Sequence, residues 1–266
     1  MLDLYNRKIN YLRISVTDRC NLRCRYCMPE DGVCMVEHKE ILSYEEICEV
    51  VKVAVPLGID KVRLTGGEPL VRKDIVELVR MISKVPGVKD IAITTNGVLL
   101  EKFAKPLADA GLHRVNISLD TLDPEKFAHI TRGGDLNKVL AGIKAAQMAG
   151  LHPVKINCVI QQSSDEPDAR AVKKYCLENG LQARFISQMD LSGGHFSIVE
   201  GGTGGDCSQC NRLRLTPTGK MKPCLFSDLE YDIRTMGIKE AIEAALWGKP
   251  QKGTVNLSNC FHNIGG

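Results

Sequence analysis

Tyr11-Leu12-Arg13-Ile14-Ser15-Val16-Thr17-Asp18-Arg19-Cys20-Asn21-Leu22-Arg23-Cys24-Arg25-Tyr26-Cys27 decides the fold. Its first seven residues alternate. Leu12, Ile14 and Val16 fall on one face of an extended chain, and Arg13, Ser15 and Thr17 on the other. A loop follows at once, with three cysteines separated by three residues and then by two.

The alternation recurs at Lys61–Thr65, Asp90–Thr95, Arg114–Leu119, Val154–Ile160 and Ala183–Ser187. Helical patterns lie between these runs. One opens on a capping box at Ser43-Tyr44-Glu45-Glu46 and continues to Val55. The others are Lys73–Lys84, Leu99–Ala110, Leu136–Ala149 and Glu166–Glu178, each ending near a glycine or proline. Strands alternating with helices predict βαβ units and a parallel sheet. Val62, Leu64, Ile91, Ile93, Val115, Ile117, Val154 and Ile156 share the apolar face, whereas Arg63, Thr94, Asn116, Ser118, Lys155 and Asn157 take the other.

An eight-stranded barrel fills its interior with aliphatic side chains. A doubly wound sheet buries two apolar faces. Neither has this pattern, and a polar inner face needs water or a ligand. The sequence therefore predicts an α/β fold, a partial (βα)6 TIM barrel whose lumen presents Arg13, Arg63 and Lys155 to something anionic. A sheet with one exposed polar face is the alternative.

Composition sets the outer limits. The chain has 266 residues, 44% of them hydrophobic, which is enough for a sizeable core. No apolar run reaches the ~18 residues of a membrane span, and the N-terminal residues show no export signal. A net charge of +3 with 5% aromatic residues does not call for nucleic acid. Eleven cysteines in a long chain without an export signal suggest a reduced, cytoplasmic protein with thiolate metal sites.

Beyond the six units the pattern changes. We read 1–190 as the barrel and 191–266 as a C-terminal segment. Ser192–Asp206 is Gly-rich and reads as a linker or flexible loop. Cys207-Ser208-Gln209-Cys210-Asn211-Arg212-Leu213-Arg214 follows, then Cys224, a helical pattern at Ile238–Trp247 and the terminal Gly265-Gly266.

Three thiolates from one loop can hold three corners of a cubic iron–sulfur cluster and leave one iron open for chemistry. That applies to Cys20, Cys24 and Cys27, with a structural zinc loop as the alternative. Cys207, Cys210 and Cys224 form a second trio. Here a zinc site completed by Cys260 or His262 is the alternative. Arg212 and Arg214 share a face of an extended chain and can clamp phosphate. Cys34, Cys48, Cys158 and Cys176 read as ordinary thiols.

The first loop resembles the signature of the radical S-adenosylmethionine (SAM) enzymes. The resemblance implies a [4Fe-4S] cluster that binds SAM at its open iron and cleaves it to a 5′-deoxyadenosyl radical. It implies that Tyr26 packs near the adenine. Gly66, Gly67 and Glu68 would meet the methionine amino group, Ser118 the cofactor, and Met189 the adenine. With the second trio and the Gly-Gly tail, the chain resembles the GTP 3′,8-cyclase family of molybdenum-cofactor biosynthesis, from about Leu12 to Met189 and again from Cys207 to Gly266.

That narrower resemblance implies two [4Fe-4S] clusters. Arg13, Arg63, Thr94, Lys155, Arg212 and Arg214 would contact GTP, and Arg13, Lys155, Gly265 and Gly266 would serve catalysis. The implied partners are GTP, a flavodoxin- or ferredoxin-type electron donor and a downstream pyranopterin-forming enzyme. A homodimer is open, and neither nucleic acid nor membrane is expected. The departure from the family is the short Asp190–Asp206 stretch, which suggests a more open nucleotide site. It leaves a peptide or another small molecule as an alternative radical substrate, and a non-catalytic thiolate metal protein as a further one.

Overall fold

The computed structural model describes residues 1–29 and 35–264, with the His262 side chain excluded. Six βα units make up most of it. They are β1 (Tyr11–Ser15), α1 (Tyr44–Ala54), β2 (Lys61–Thr65), α2 (Ile75–Ser83), β3 (Asp90–Thr95), α3 (Leu100–Asp109), β4 (Arg114–Ser118), α4 (Pro124–Thr131), α5 (Leu136–Met148), β5 (Val154–Ile160), α6 (Pro167–Glu178) and β6 (Gln182–Ser187). The C-terminal segment adds β7 (Arg212–Leu215), β8 (Lys220–Lys222), β9 (Tyr231–Asp232), α7 (Ile233–Met236), α8 (Ile238–Trp247) and α9 (Phe261–Ile264).

Local chemistry sets these elements. The Ser43 hydroxyl accepts from the Glu46 N–H at 3.1 Å, and the Glu46 carboxylate accepts from the Ser43 N–H at 2.7 Å, so α1 starts on a complete capping box. Asp123 and Asp135 cap α4 and α5 in the same sense. α4 is an addition to the single helix that the periodicity predicts between the fourth and fifth strands.

β1 to β6 pair in parallel and in sequence order, as the alternating pattern requires. Leu12, Ile14, Val62, Leu64, Ile91, Ile93, Val115 and Ile117 are each at most 1% exposed and pack beneath the helices. Each such side chain contributes about 1.5–3 kcal/mol by leaving water. The opposite face carries the polar row.

The sheet is larger than the six strands predicted. β7 joins β1 in parallel, with Arg13 opposite Arg214, and β8 and β9 continue antiparallel to give nine strands with β6 and β9 at the edges. The C-terminal segment thus extends the barrel sheet. These added strands are two to four residues long, too short to show a period.

The Gly-rich stretch is likewise not a free linker. It bridges Asp190 to His195 and Phe185 to Glu200, folding back on β6. Among the described residues no helix is long and apolar enough to cross a membrane.

Candidate active site

Two cavities meet inside the sheet. One, of about 200 Å³, is lined by Cys20, Cys24 and Cys27 from the loop after β1, by Gly66 and Gly67 after β2, and by Thr94, Ser118 and Met189. The other, of about 170 Å³, is lined by Cys207, Cys210 and Cys224 together with Arg13, Arg63, Arg212 and Arg214. Asn157, Ile186 and Met189 border both. A parallel sheet sends every βα loop to one end, so residues far apart in sequence converge there.

The first cavity is built on a tight backbone approach. A Cβ on Gly67 would lie 2.4 Å from the Arg19 carbonyl oxygen, so only glycine lets this turn rest against the foot of the cysteine loop. Gly66 has φ +156° and touches Thr17 in the same way. Glu68 does not line the cavity. Its carboxylate accepts from the Leu70 N–H at 3.0 Å, the Thr95 hydroxyl at 2.7 Å and the Asn96 N–H at 2.6 Å, and burial pushes it up to about 7. It braces the loops that carry Gly66 and Asn96.

Tyr26 donates its hydroxyl to the Asp120 carboxylate at 2.9 Å, and the other oxygen of Asp120 accepts from the Val159 N–H at 2.8 Å. Burial pushes Asp120 up to about 6. Burial also pushes Cys24 and Cys27 up to about 12, reinforced by Cys27, Asp120 and Cys20 at the first and by Cys20 and Cys260 at the second. Such thiols are poor nucleophiles and ionise when a metal takes the proton's place.

The second cavity is dominated by positive charge. Among the described residues, Arg13, Arg63, Arg184, Arg212, Arg214 and Lys249 line it, against one carboxylate, Asp206. Burial and neighbouring cations lower Arg13 and Arg63, and burial lowers Arg184 and Arg214 to about 10. Arg114, by contrast, is satisfied, with Nε donating to Asp90 at 2.8 Å. Four buried polar atoms without a hydrogen-bond partner among the described residues face inward: Arg63 Nε, Arg184 Nε, Asn157 Oδ1 and Thr94 Oγ1. An anion satisfies the donors among them, Arg63 Nε, Arg184 Nε and the Thr94 hydroxyl.

The cysteine trios suit clusters. Among the described residues no three His, Cys, Asp or Glu side chains close on one point, as a single ion requires. A cubic cluster is ligated at separate irons, so its thiolates need not converge. At Cys210, burial pushes the thiol up but Lys249 and Arg212 outweigh it, and the net shift is down. Cys260 is exposed, and the thiol it acts on is Cys27 of the first trio. The His262 side chain, Gly265 and Gly266 lie outside the described residues. The Ile264 carbonyl accepts from Arg214 at 3.3 Å, which brings Ile264 to an arginine of the second cavity.

Lys155, expected at the nucleotide, lies on the inner face but lines neither cavity; burial, with Arg184, Arg114 and Arg63, lowers it to about 8. Sequence reasoning missed Arg184, Lys249 and Phe196. Arg184 stands opposite Asn157 in the next strand, a position that period-2 reading of β6 could have flagged. Lys249 follows α8 and carries no local signal. Phe196 comes from the Gly-rich stretch and stacks on Phe226 at 4.4 Å, so this stretch walls the second cavity.

Known proteins agree with this geometry. Residues 14–174 match the Radical SAM superfamily and residues 150–254 match Molybdenum Cofactor Synthesis C. The GTP 3′,8-cyclase of Alkaliphilus oremlandii (strain OhILAs) is 46% identical over 95% of this chain and 94% of its own length. That of Peptoclostridium acidaminophilum is 45% identical over 88% and 85%. The first alignment runs over 300 positions, more than the 266 residues here, so that relative carries extra residues within the matched region.

SuiB of Streptococcus suis bound to S-adenosylmethionine superposes with a TM-score of 0.68 at 16% identity, over 91% of this chain and 66% of SuiB. That likeness shows the radical SAM partial-barrel fold. Identity of 45–46% that runs through both the barrel and the cysteine-bearing C-terminal segment makes this chain a member of the GTP 3′,8-cyclase family within the radical SAM superfamily.

Proposed function

We propose that this chain converts GTP to 3′,8-cyclo-7,8-dihydroguanosine 5′-triphosphate in molybdenum-cofactor biosynthesis. The observation that carries this reading is the ring of six cations beside a thiol trio in the second cavity. A triphosphate is the natural countercharge, and guanidinium groups grip it in bidentate fashion.

Two [4Fe-4S] clusters and S-adenosylmethionine, when bound, supply one-electron chemistry able to take a hydrogen atom from an unactivated ribose carbon. Cys20, Cys24 and Cys27 hold one cluster, and Cys207, Cys210 and Cys224 the other. Tyr26, Gly66, Gly67, Ser118 and Met189 shape the SAM site, with Glu68 fixing its loops. Arg13, Arg63, Arg184, Arg212 and Arg214 hold the triphosphate, while Thr94 and Asn157 border the space between the cofactor and the ribose. Lys155 stands behind this row. The family resemblance assigns Gly265 and Gly266, which lie outside the described residues, to catalysis.

The barrel, 1–190, holds the radical-generating half, and 191–266 shares with it the anchoring of the substrate. A flavodoxin- or ferredoxin-type protein supplies the electron, and a pyranopterin-forming enzyme consumes the product. Eleven cysteines and two thiolate trios suit a reduced, cytoplasmic compartment.

Anaerobically reconstituted protein, reduced and mixed with SAM and GTP, is expected to form 5′-deoxyadenosine and a cyclised nucleotide in equal amounts by mass spectrometry. SAM cleavage with GTP left intact would refute the substrate and favour a peptide or another small molecule.

A further inference from the structure

Two buried cations outside the sheet hold the second cysteine trio together. Lys249 is 3% exposed, and its Nζ donates to the Arg212 carbonyl at 2.8 Å and the Pro223 carbonyl at 2.7 Å. Arg212 lies two residues after Cys210, and Pro223 immediately precedes Cys224. The trio therefore has two arms, one before β7 and one after β8. The β7–β8 ladder reaches Arg214 opposite Lys222 and pairs no further toward the cysteines. Beyond that pair, the two arms are joined by the Lys249 ammonium.

Arg7 acts from the other side. It is 7% exposed, and Nη1 donates to the Cys207 carbonyl at 2.7 Å and the Gln251 carbonyl at 3.0 Å. Its Nη2 donates to the Pro250 carbonyl at 2.7 Å, and Nε donates to Asp3 at 2.6 Å. Residues 249–251 thus tie the backbone around all three cysteines to one short segment. Buried carbonyls need donors, and a cation with several protons can serve two chains at once.

The charge is also informative. Arg7 has Asp3, but among the described residues no carboxylate pairs with Lys249. A buried ammonium without a countercharge is costly. Cys210 and Cys224 line the same cavity as Lys249, and as metal-bound thiolates they would supply that countercharge.

We propose that Lys249, backed by Arg7, is the positioning residue that assembles the second thiolate trio, fixing Cys210 against Cys224 and supplying the countercharge for the metal centre they hold. This rests on the two-cluster reading above.

The test is iron and acid-labile sulfide content after anaerobic reconstitution, with electron paramagnetic resonance of each site. The unsubstituted protein comes first: if it takes up one cluster, the two-cluster reading fails, whatever Lys249 does. Given two, Lys249→Met is expected to keep about half the iron, with the first site's signal and SAM-dependent spectral change intact. Arg7→Met is expected to lose second-site iron in part. Lys249→Arg, which restores charge and donors, is expected to recover it.

In Lys249→Gln any retained second-site signal is expected to titrate at a more negative potential, because a positive charge beside the metal has been removed. Full iron in Lys249→Met with an unchanged second-site potential overturns the proposal. If Lys249→Met loses iron at both sites, Lys249→Arg decides: recovered second-site iron supports the assignment, and failure to recover it overturns it.

Discussion

Arg13 and Arg214 face each other across the β1–β7 ladder, so the first strand of the barrel and the first strand after the second cysteine pair present guanidinium groups to one cavity. Strand pairing, not sequence proximity, brings them together. With Arg63 on the other side of Arg13, the row forms a strip of like charge along the cavity wall.

A strip of this kind costs stability in the free protein and returns it on binding a polyanion. Arg63, buried over the Tyr11 ring at 5.3 Å, is the clearest probe. Arg63→Met is expected to raise the melting temperature without ligand by roughly 2–4 °C per ~1 kcal/mol of relieved repulsion. It is expected to weaken GTP binding about tenfold to a hundredfold, as loss of a charged hydrogen bond of ~1.5–3 kcal/mol implies. Calorimetric titration with GTP and thermal unfolding with and without it measure both; unchanged affinity contradicts the assignment.

Lys155 gives a pH signature. Burial and three arginines lower it to about 8, so its positive charge is present below that pH and lost above it. GTP affinity is therefore expected to decline as pH rises through about 8, with bound triphosphate moving the inflection upward. Lys155→Arg, which stays charged, is expected to flatten the profile. An identical inflection in that variant would place its origin elsewhere.

The Tyr26–Asp120–Val159 connection fixes the ring beside the first cysteine trio. Asp120→Asn replaces one acceptor oxygen with an amide that cannot accept from both groups, and leaves a buried donor unsatisfied at ~1–3 kcal/mol. SAM binding is expected to weaken about tenfold or more, while GTP binding to the second cavity is unaffected. Equal losses for the two ligands would instead indicate general unfolding.

Gly67 admits no side chain because the carbonyl of Arg19 lies 2.4 Å from a Cβ built there. Gly67→Ala is expected to push the cysteine loop outward and to halve the iron bound after reconstitution, with the second trio loaded normally. Full iron together with wild-type SAM affinity would show that the loop yields without consequence.

Much of this site is legible in local sequence. The period of two separates Leu12 and Ile14 from Arg13, because consecutive side chains in a strand must point to opposite sides. The spacing of Cys20, Cys24 and Cys27 is confined to one loop, so their proximity is already covalent. The positions of Lys249 and Arg7 are not legible in this way. Each acts across tens to hundreds of residues, and no periodicity announces which carbonyl or cavity it will meet.

The sequence alone determined which face of each strand would be polar and which cysteines would travel together. Only the tertiary structure decided that β7 lies against β1, that the stretch from Asp190 to Asp206 becomes a wall, and that Glu68 turns its carboxylate to the Asn96 loop instead of the cavity. Alternation and loop spacing are properties of a short run of backbone. Pairing between distant strands is chosen by the burial and hydrogen bonding of the whole chain at once.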